Sequence, residues 1–188
     1  MWRFTKTATA TSASALLIAS LTGCSETTEA VPELPARICW DAFAAQGVSP
    51  LLPAGKKATF GAAAMRPFAL QEDGDLASCT LDIDGVTKFQ ASATRLGHET
   101  DIDWSPWEKA DPEPLDIGEK GILWHNGAAS YIVCEPSAGP SSPGRYIDLH
   151  LSTYRSQGDH EQEKQARRIL PALLKQFTAF AEKELKCR

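Results

Sequence analysis

The segment Leu76-Ala77-Ser78-Cys79-Thr80-Leu81-Asp82-Ile83-Asp84-Gly85-Val86-Thr87-Lys88-Phe89-Gln90-Ala91-Ser92-Ala93-Thr94-Arg95-Leu96 reads as two strands and a turn. Ala77, Cys79 and Leu81 alternate with Ser78, Thr80 and Asp82; Phe89, Ala91 and Ala93 alternate with Gln90, Ser92 and Thr94. A period of two places each apolar set on one face of a sheet, and Asp-Gly between two such runs marks a hairpin. Strands are therefore expected over 76–82 and 86–96. A two-residue Asp84-Gly85 turn would set Cys79 opposite Gln90. A three-residue Ile83-Asp84-Gly85 loop sets Cys79 opposite Phe89 and Ala77 opposite Ala91, keeps the apolar face together, and is the expected register.

Downstream, 122–125 and 128–135 flank Asn126-Gly127, the strongest short hairpin signal because both central residues favour positive φ. Over 146–153, Ile147, Leu149 and Leu151 alternate with Tyr146, Asp148, His150 and Ser152, which predicts one covered and one wet face. Between these strands, 97–120 is long and acidic and holds Trp104-Ser105-Pro106-Trp107. Connections of this length are unusual in a compact domain and often carry function. The chain closes on an expected helix over 160–186, with Ala166, Ile169, Leu170, Leu173, Phe177, Phe180 and Ala181 at helical spacing. Asp159 is its expected N-cap, and Pro171 is expected to kink or split it after Leu170.

Upstream, 38–46 reads as a short helix stopped by Gly47, 49–55 as loop, 64–70 as a weak strand and 72–75 as a turn. The expected architecture is α+β: a mostly antiparallel sheet of about six strands, a short N-terminal helix and a long C-terminal helix.

The 188 residues are 43% apolar and 23% charged, a globular composition suited to one domain. The formal charge of −5 and the lack of a basic patch argue against nucleic acid as a partner. At the N-terminus, Arg3 and Lys6 precede the short apolar run 15–21, followed by Leu21-Thr22-Gly23-Cys24. This resembles the bacterial lipoprotein signal. It implies removal of 1–23, diacylglycerol on the Cys24 thiol and residence on the outer face of the cytoplasmic membrane. Loss of Arg3 and Lys6 takes the formal charge to −7. Two acyl chains anchor stably where one is marginal. Residues 24–36, acidic and proline-bearing, are expected to form a disordered tether about 40 Å long when stretched. The folded domain is then 37–188, expected to stand off the surface.

Setting Cys24 aside leaves Cys39, Cys79, Cys134 and Cys187. An even number in an exported domain reads as two disulfides, with three possible connectivities. The favoured pairing is Cys39–Cys187, clamping the domain's two ends, and Cys79–Cys134, joining two strands. No CxxC spacing supports a zinc site.

Sites of chemistry are few. His98, His125, His150 and His160 show no metal-ligand spacing, and neither a Gly-x-Ser-x-Gly elbow nor a phosphate-binding glycine motif is present. The carboxylates around 72–75 and 99–103 do not complete a calcium loop. No catalytic residue, metal or cofactor is assigned. Trp104 and Trp107 are the candidate contact residues, since exposed indoles stack on sugar faces or anchor a protein partner. Trp40 and Trp124, on expected regular elements, read as core.

A wider resemblance emerges from Cys39-Trp40-x-x-Phe43 and Val48-Ser49-Pro50-Leu51-Leu52, and from Cys79 ahead of Asp84-Gly85 and Phe89. To these it adds Ala93-Thr94-Arg95, Leu115 with Gly118, Gly121 and Trp124 ahead of Cys134, and the closing helix ending at Cys187. Over nearly all of 37–188 the chain is similar to exported four-cysteine domains of streptomycete and related actinobacterial lipoproteins of no assigned function. The resemblance implies disulfides and an envelope location but no catalytic residue. The expectation is a lipid-anchored, non-enzymatic module that binds an envelope glycan or protein partner. The alternative is a small envelope hydrolase with a dispersed site.

Overall fold

The computed structural model describes residues 30–72, 74–104, 111–134, 144–154 and 159–187. Cys24 and Trp107 lie outside the described residues. The strands are β1 (Arg37–Ile38), β2 (Phe43–Ala44), β3 (Ala58–Phe60), β4 (Leu76–Ile83), β5 (Val86–Leu96), β6 (Glu113–Leu115), β7 (Lys120–Trp124), β8 (Gly127–Val133) and β9 (Tyr146–Thr153). The helices are α1 (Ala45–Val48) and α2 (His160–Leu185). The class is α+β. β1 and β2 form a two-stranded ribbon, and the other strands form a seven-stranded antiparallel sheet in the order β3-β4-β5-β9-β8-β7-β6.

The alternation along β4, β5 and β9 sorts side chains to the two faces. Cys79, Leu81, Phe89, Ala91, Ala93, Ile147, Leu149 and Leu151 all face one side and are buried. Ala166, Leu170, Leu173, Leu174, Phe177 and Ala181 of α2 cover that side. Phe43 of β2 sets its ring 5.6 Å from Phe89 and 5.5 Å from Phe177, joining ribbon, sheet and helix in one core. Asp159 caps α2, its side chain accepting from the Gln162 N–H at 3.0 Å. The helix runs through Pro171 without splitting.

The first hairpin keeps its apolar face together by a different device from the expected loop. Ile83 pairs with Val86, so the turn has two residues, with Asp84 at φ 51° and Gly85 at φ 79°. Lys88 is then an extra residue: Asp82 pairs with Thr87 but Leu81 with Phe89. The bulge restores parity and sets Cys79 opposite Ala91, inside.

The second hairpin also departs from expectation. Trp124 pairs with Gly127, so the turn residues are His125 and Asn126, neither with a positive φ. Gly127 belongs to the strand. A Cβ there would fall 2.2 Å from the Trp124 ring and 2.7 Å from the Leu151 carbonyl oxygen. Close approach of the indole, not turn geometry, demands this glycine.

The helix expected over 38–46 is replaced by the ribbon, and α1 is shorter and later. Likewise 64–70 is not a strand; β3 precedes it as the sheet edge, and Ala62–Met65 is a 3-10 turn. Along the expected tether, Val31 and Leu34 pack against the core and the Ala30 carbonyl accepts from the Gly55 N–H at 3.1 Å. Residues from Ala30 on, ahead of residue 37, thus already contact the domain.

The disulfides are Cys39–Cys79 and Cys134–Cys187, which corrects the favoured pairing. The sheet order gives the reason. Cys79 lies on β4, whereas Cys134 follows β8, with β5 and β9 between. Three strand spacings amount to about 14 Å, beyond the roughly 7 Å Cα limit for a bridge. The ribbon instead folds over β4 and brings Cys39 within 5.5 Å of Cys79, Cα to Cα. At the other end Lys186 takes a left-handed conformation, φ 57°, and the Cys187 N–H donates to the Glu182 carbonyl at 2.9 Å. The chain thereby turns off the helix toward Cys134.

Candidate functional site

The sheet face turned away from α2 carries Trp104, one of the two residues expected to meet a partner. Register places Ser78 beside Ser92, Thr80 beside Gln90, Thr94 beside Asp148, Ser92 beside His150, and Gln90 beside Ser152 on adjacent strands. All are half-buried, and together they form a polar stripe across β4, β5 and β9. Within it the His150 Nε2 lies 2.9 Å from both Asp148 carboxylate oxygens. Gln90 donates to Ser78 at 3.4 Å and accepts from the Tyr154 hydroxyl at 2.7 Å.

An aromatic border adjoins the stripe across β7, β8 and the start of β9. Trp104 is half-buried and packs on Ile122, Trp124 and Ala129, a second small core on this face. Its ring centroid lies 6.2 Å from that of Tyr131, and Tyr131 lies 6.1 Å from Tyr146. Lys120 Nζ sits 4.4 Å over the indole, within cation–π range. The Tyr131 hydroxyl donates to Glu99 Oε1 at 2.6 Å. That hydrogen bond, aided by desolvation and by the charges of Glu99 and Glu119, pushes the phenol up to about 12.

The loop entering this region is fastened locally. The Asp101 carboxylate accepts from the His98 N–H at 3.0 Å, the Asp101 N–H donates to the His98 carbonyl, and Ile102 is buried. With Glu99 bonded to Tyr131, the stretch from His98 to Trp104 is laid back onto the sheet. Trp104 is thus partly lid and partly exposed edge. Trp124 is buried as expected, but on this second core rather than under α2.

Trp40 departs furthest from expectation. It sits in the β1–β2 turn, where Cys39, Trp40 and Asp41 take φ values of 50°, 59° and 65° in succession. Each such non-glycine residue costs about 1–2 kcal/mol. The turn is held by the Cys39–Cys79 bridge, by the Trp40 Nε1 donating to the Arg66 carbonyl at 3.1 Å, and by the Trp40 ring stacking on Phe177 at 6.3 Å. Open grooves of about 500 and 720 Å³ flank it, both bordered by Arg37, Trp40, Asp41, Phe180 and Glu184. Nothing in the residue types of 39–41 signals a left-handed run.

Among the described residues no three His, Cys, Asp or Glu side chains converge as metal ligands, and no helix is long and apolar enough to cross a membrane. No known family model matches the chain, and no curated protein matches it in sequence.

Proposed function

We propose that this is a lipid-anchored cell-envelope protein. In this reading its mature chain begins at an acylated Cys24 on the outer face of the cytoplasmic membrane, and the sheet face turned away from α2 binds an envelope glycan. The lipoprotein-type leader and the similarity to actinobacterial four-cysteine lipoproteins support the location. The observation that carries the binding role is the join of the Trp104–Tyr131–Tyr146 border to the half-exposed stripe from Ser78 to Ser152. Sugars present apolar C–H faces and polar rims together, so indole and phenol rings beside hydroxyl and amide groups suit them. A protein partner anchored at Trp104 is the other occupant of the same face.

The test is co-sedimentation of the mature protein with envelope polysaccharide stripped of protein. Binding that falls at least tenfold in Trp104→Ala, with the fold intact by circular dichroism, supports the glycan reading. Binding lost on stripping the protein points to the protein partner, and undiminished binding by Trp104→Ala removes this face from the proposal.

One observation favours a hydrolase: His150 is paired with Asp148 and flanked by Ser92 on the neighbouring strand. A general base oriented by a carboxylate beside a hydroxyl is the arrangement of nucleophilic hydrolysis. Release of reducing ends or acyl groups from the same polysaccharide, abolished in His150→Ala, would establish it.

A further inference from the structure

We infer that one end of the domain, formed by Lys56, Lys57, Val86 and Tyr154, rests on the phospholipid surface into which the acyl chains insert. This inference rests on the lipid anchor proposed above. It starts from Ala30, the first of the described residues. Only Ser25 to Glu29 separate Cys24 from Ala30, a span of about 20 Å at full stretch. Ala30 is fixed to the domain, its carbonyl accepting from the Gly55 N–H. Gly55 in turn leads into Lys56 and Lys57, whose backbone N–H groups donate to the Asp84 carboxylate at 2.9–3.1 Å. The Asp84 N–H donates back to the Lys57 carbonyl at 2.9 Å. The attachment point, the lysine pair and the tip of the β4–β5 hairpin are therefore one rigid cluster.

The composition of that cluster fits a headgroup layer. Lys56 and Lys57 are exposed, and the nearby Asp84 carboxylate is occupied by backbone N–H groups. Val86 is 54% exposed and Tyr154 43% exposed, two of the few large apolar side chains left in solvent among the described residues. Tyr154 belongs to the same end because its N–H donates to the Lys88 carbonyl, just past the hairpin turn. Cationic side chains beside apolar ones suit the interface between phosphate and acyl chain. The acidic balance of the whole chain would not hold it on a membrane. The anchor removes that objection by keeping the lysine pair within about 20 Å of the surface.

The tether also limits orientation. β5 spans Val86–Leu96, about 35 Å long. Inverting the domain would lift Ala30 farther from the bilayer than its link allows. The Leu76, Leu96 and Tyr146 end of the sheet must point away, free to meet the envelope.

The experiment acylates lysines with a water-soluble reagent on the full lipidated protein. It compares the protein on vesicles of phosphatidylglycerol and phosphatidylcholine with the unlipidated Cys24→Ala form. The expected result is several-fold slower labelling of Lys56 and Lys57 on vesicles, with Lys175 and Lys183, toward the opposite end along α2, unchanged. Inserting fifteen Gly/Ser residues after Glu29 should restore the fast rate. Unprotected Lys56 and Lys57, or protected Lys175 and Lys183 instead, would overturn the inference while leaving the anchor standing. Failure of the native protein to sediment with vesicles or to carry lipid would overturn the anchor itself.

Discussion

Gly127 lies directly against the indole of Trp124, its strand partner across the β7–β8 hairpin. No side chain fits between them, and the Leu151 carbonyl closes the other side. Gly127→Ala should therefore destabilise by about 1–3 kcal/mol, as overpacking does, and lower Tm by several degrees. Asn126→Gly should cost less, since it loses one 3.3 Å bond from Nδ2 to the Thr153 carbonyl. Thermal melts of the two variants check the order. A larger loss at Asn126 would return the pair to the centre of the turn.

Departures from the sequence-based reading share a cause. Alternation and period are local, so β4, β5, β9 and α2 were legible in their own residues. The face of Trp124, the bulge at Lys88 and the sulfur pairing depend on which strands become neighbours. The order β3-β4-β5-β9-β8-β7-β6 cannot be read from spacing. Trp104 was legible as a candidate because indoles in a long polar connection are conspicuous. The stripe from Ser78 to Ser152 was not, because it exists only after β5 and β9 pair. The left-handed run at Cys39–Asp41 left no trace, because tertiary contacts impose it on residues that do not prefer it.

Mass spectrometry of nonreduced peptides should recover Cys39 linked to Cys79 and Cys134 linked to Cys187. The bridges close sequence separations of 40 and 53. Loop entropy then assigns each about 4 kcal/mol as a model upper figure. Cys134→Ser/Cys187→Ser frees only the junction of helix end and β8. Cys39→Ser/Cys79→Ser also releases a turn of three left-handed residues. Denaturant melts should show the first double variant still folded. In the second, the Trp40 fluorescence environment should change as well as the midpoint.

Arg95 is buried at 6% exposure, and its guanidinium joins segments distant in the chain. Nε donates to the Leu70 carbonyl at 2.6 Å and Nη1 to the Gly144 carbonyl at 2.5 Å. Desolvation lowers its own pKa, opposed by the charge of Asp75. Arg95→Met keeps the apolar stem but strands those carbonyls, and should cost about 2–4 kcal/mol. Arg95→Lys should recover only part, since one ammonium cannot reproduce the fork. Chemical denaturation checks the order wild type, Lys, Met; equal stability of the Met variant would mean the carbonyls find water.

Tyr131 makes the candidate contact region sensitive to alkali. Its folded phenol titrates at about 12 against an ordinary 10, chiefly because it donates to Glu99. Between those values the unfolded chain loses a proton that the folded one keeps, so folding stability falls with rising pH. The contribution is whole below pH 10 and is lost as pH rises through about 12. Tyr131→Phe should remove this part of the alkaline slope, and at neutral pH should cost about 1 kcal/mol for the lost hydrogen bond. The difference in Tm between wild type and variant, followed from pH 8 to pH 12, isolates Tyr131 from the lysines, which titrate in both. A constant difference would mean that the hydroxyl is not held by Glu99. Because the same bond lays the His98–Trp104 stretch onto β8, Tyr131→Phe should also loosen Trp104, seen as stronger quenching of its fluorescence by iodide. Glycan affinity would then fall less than in Trp104→Ala, since the indole is displaced rather than removed.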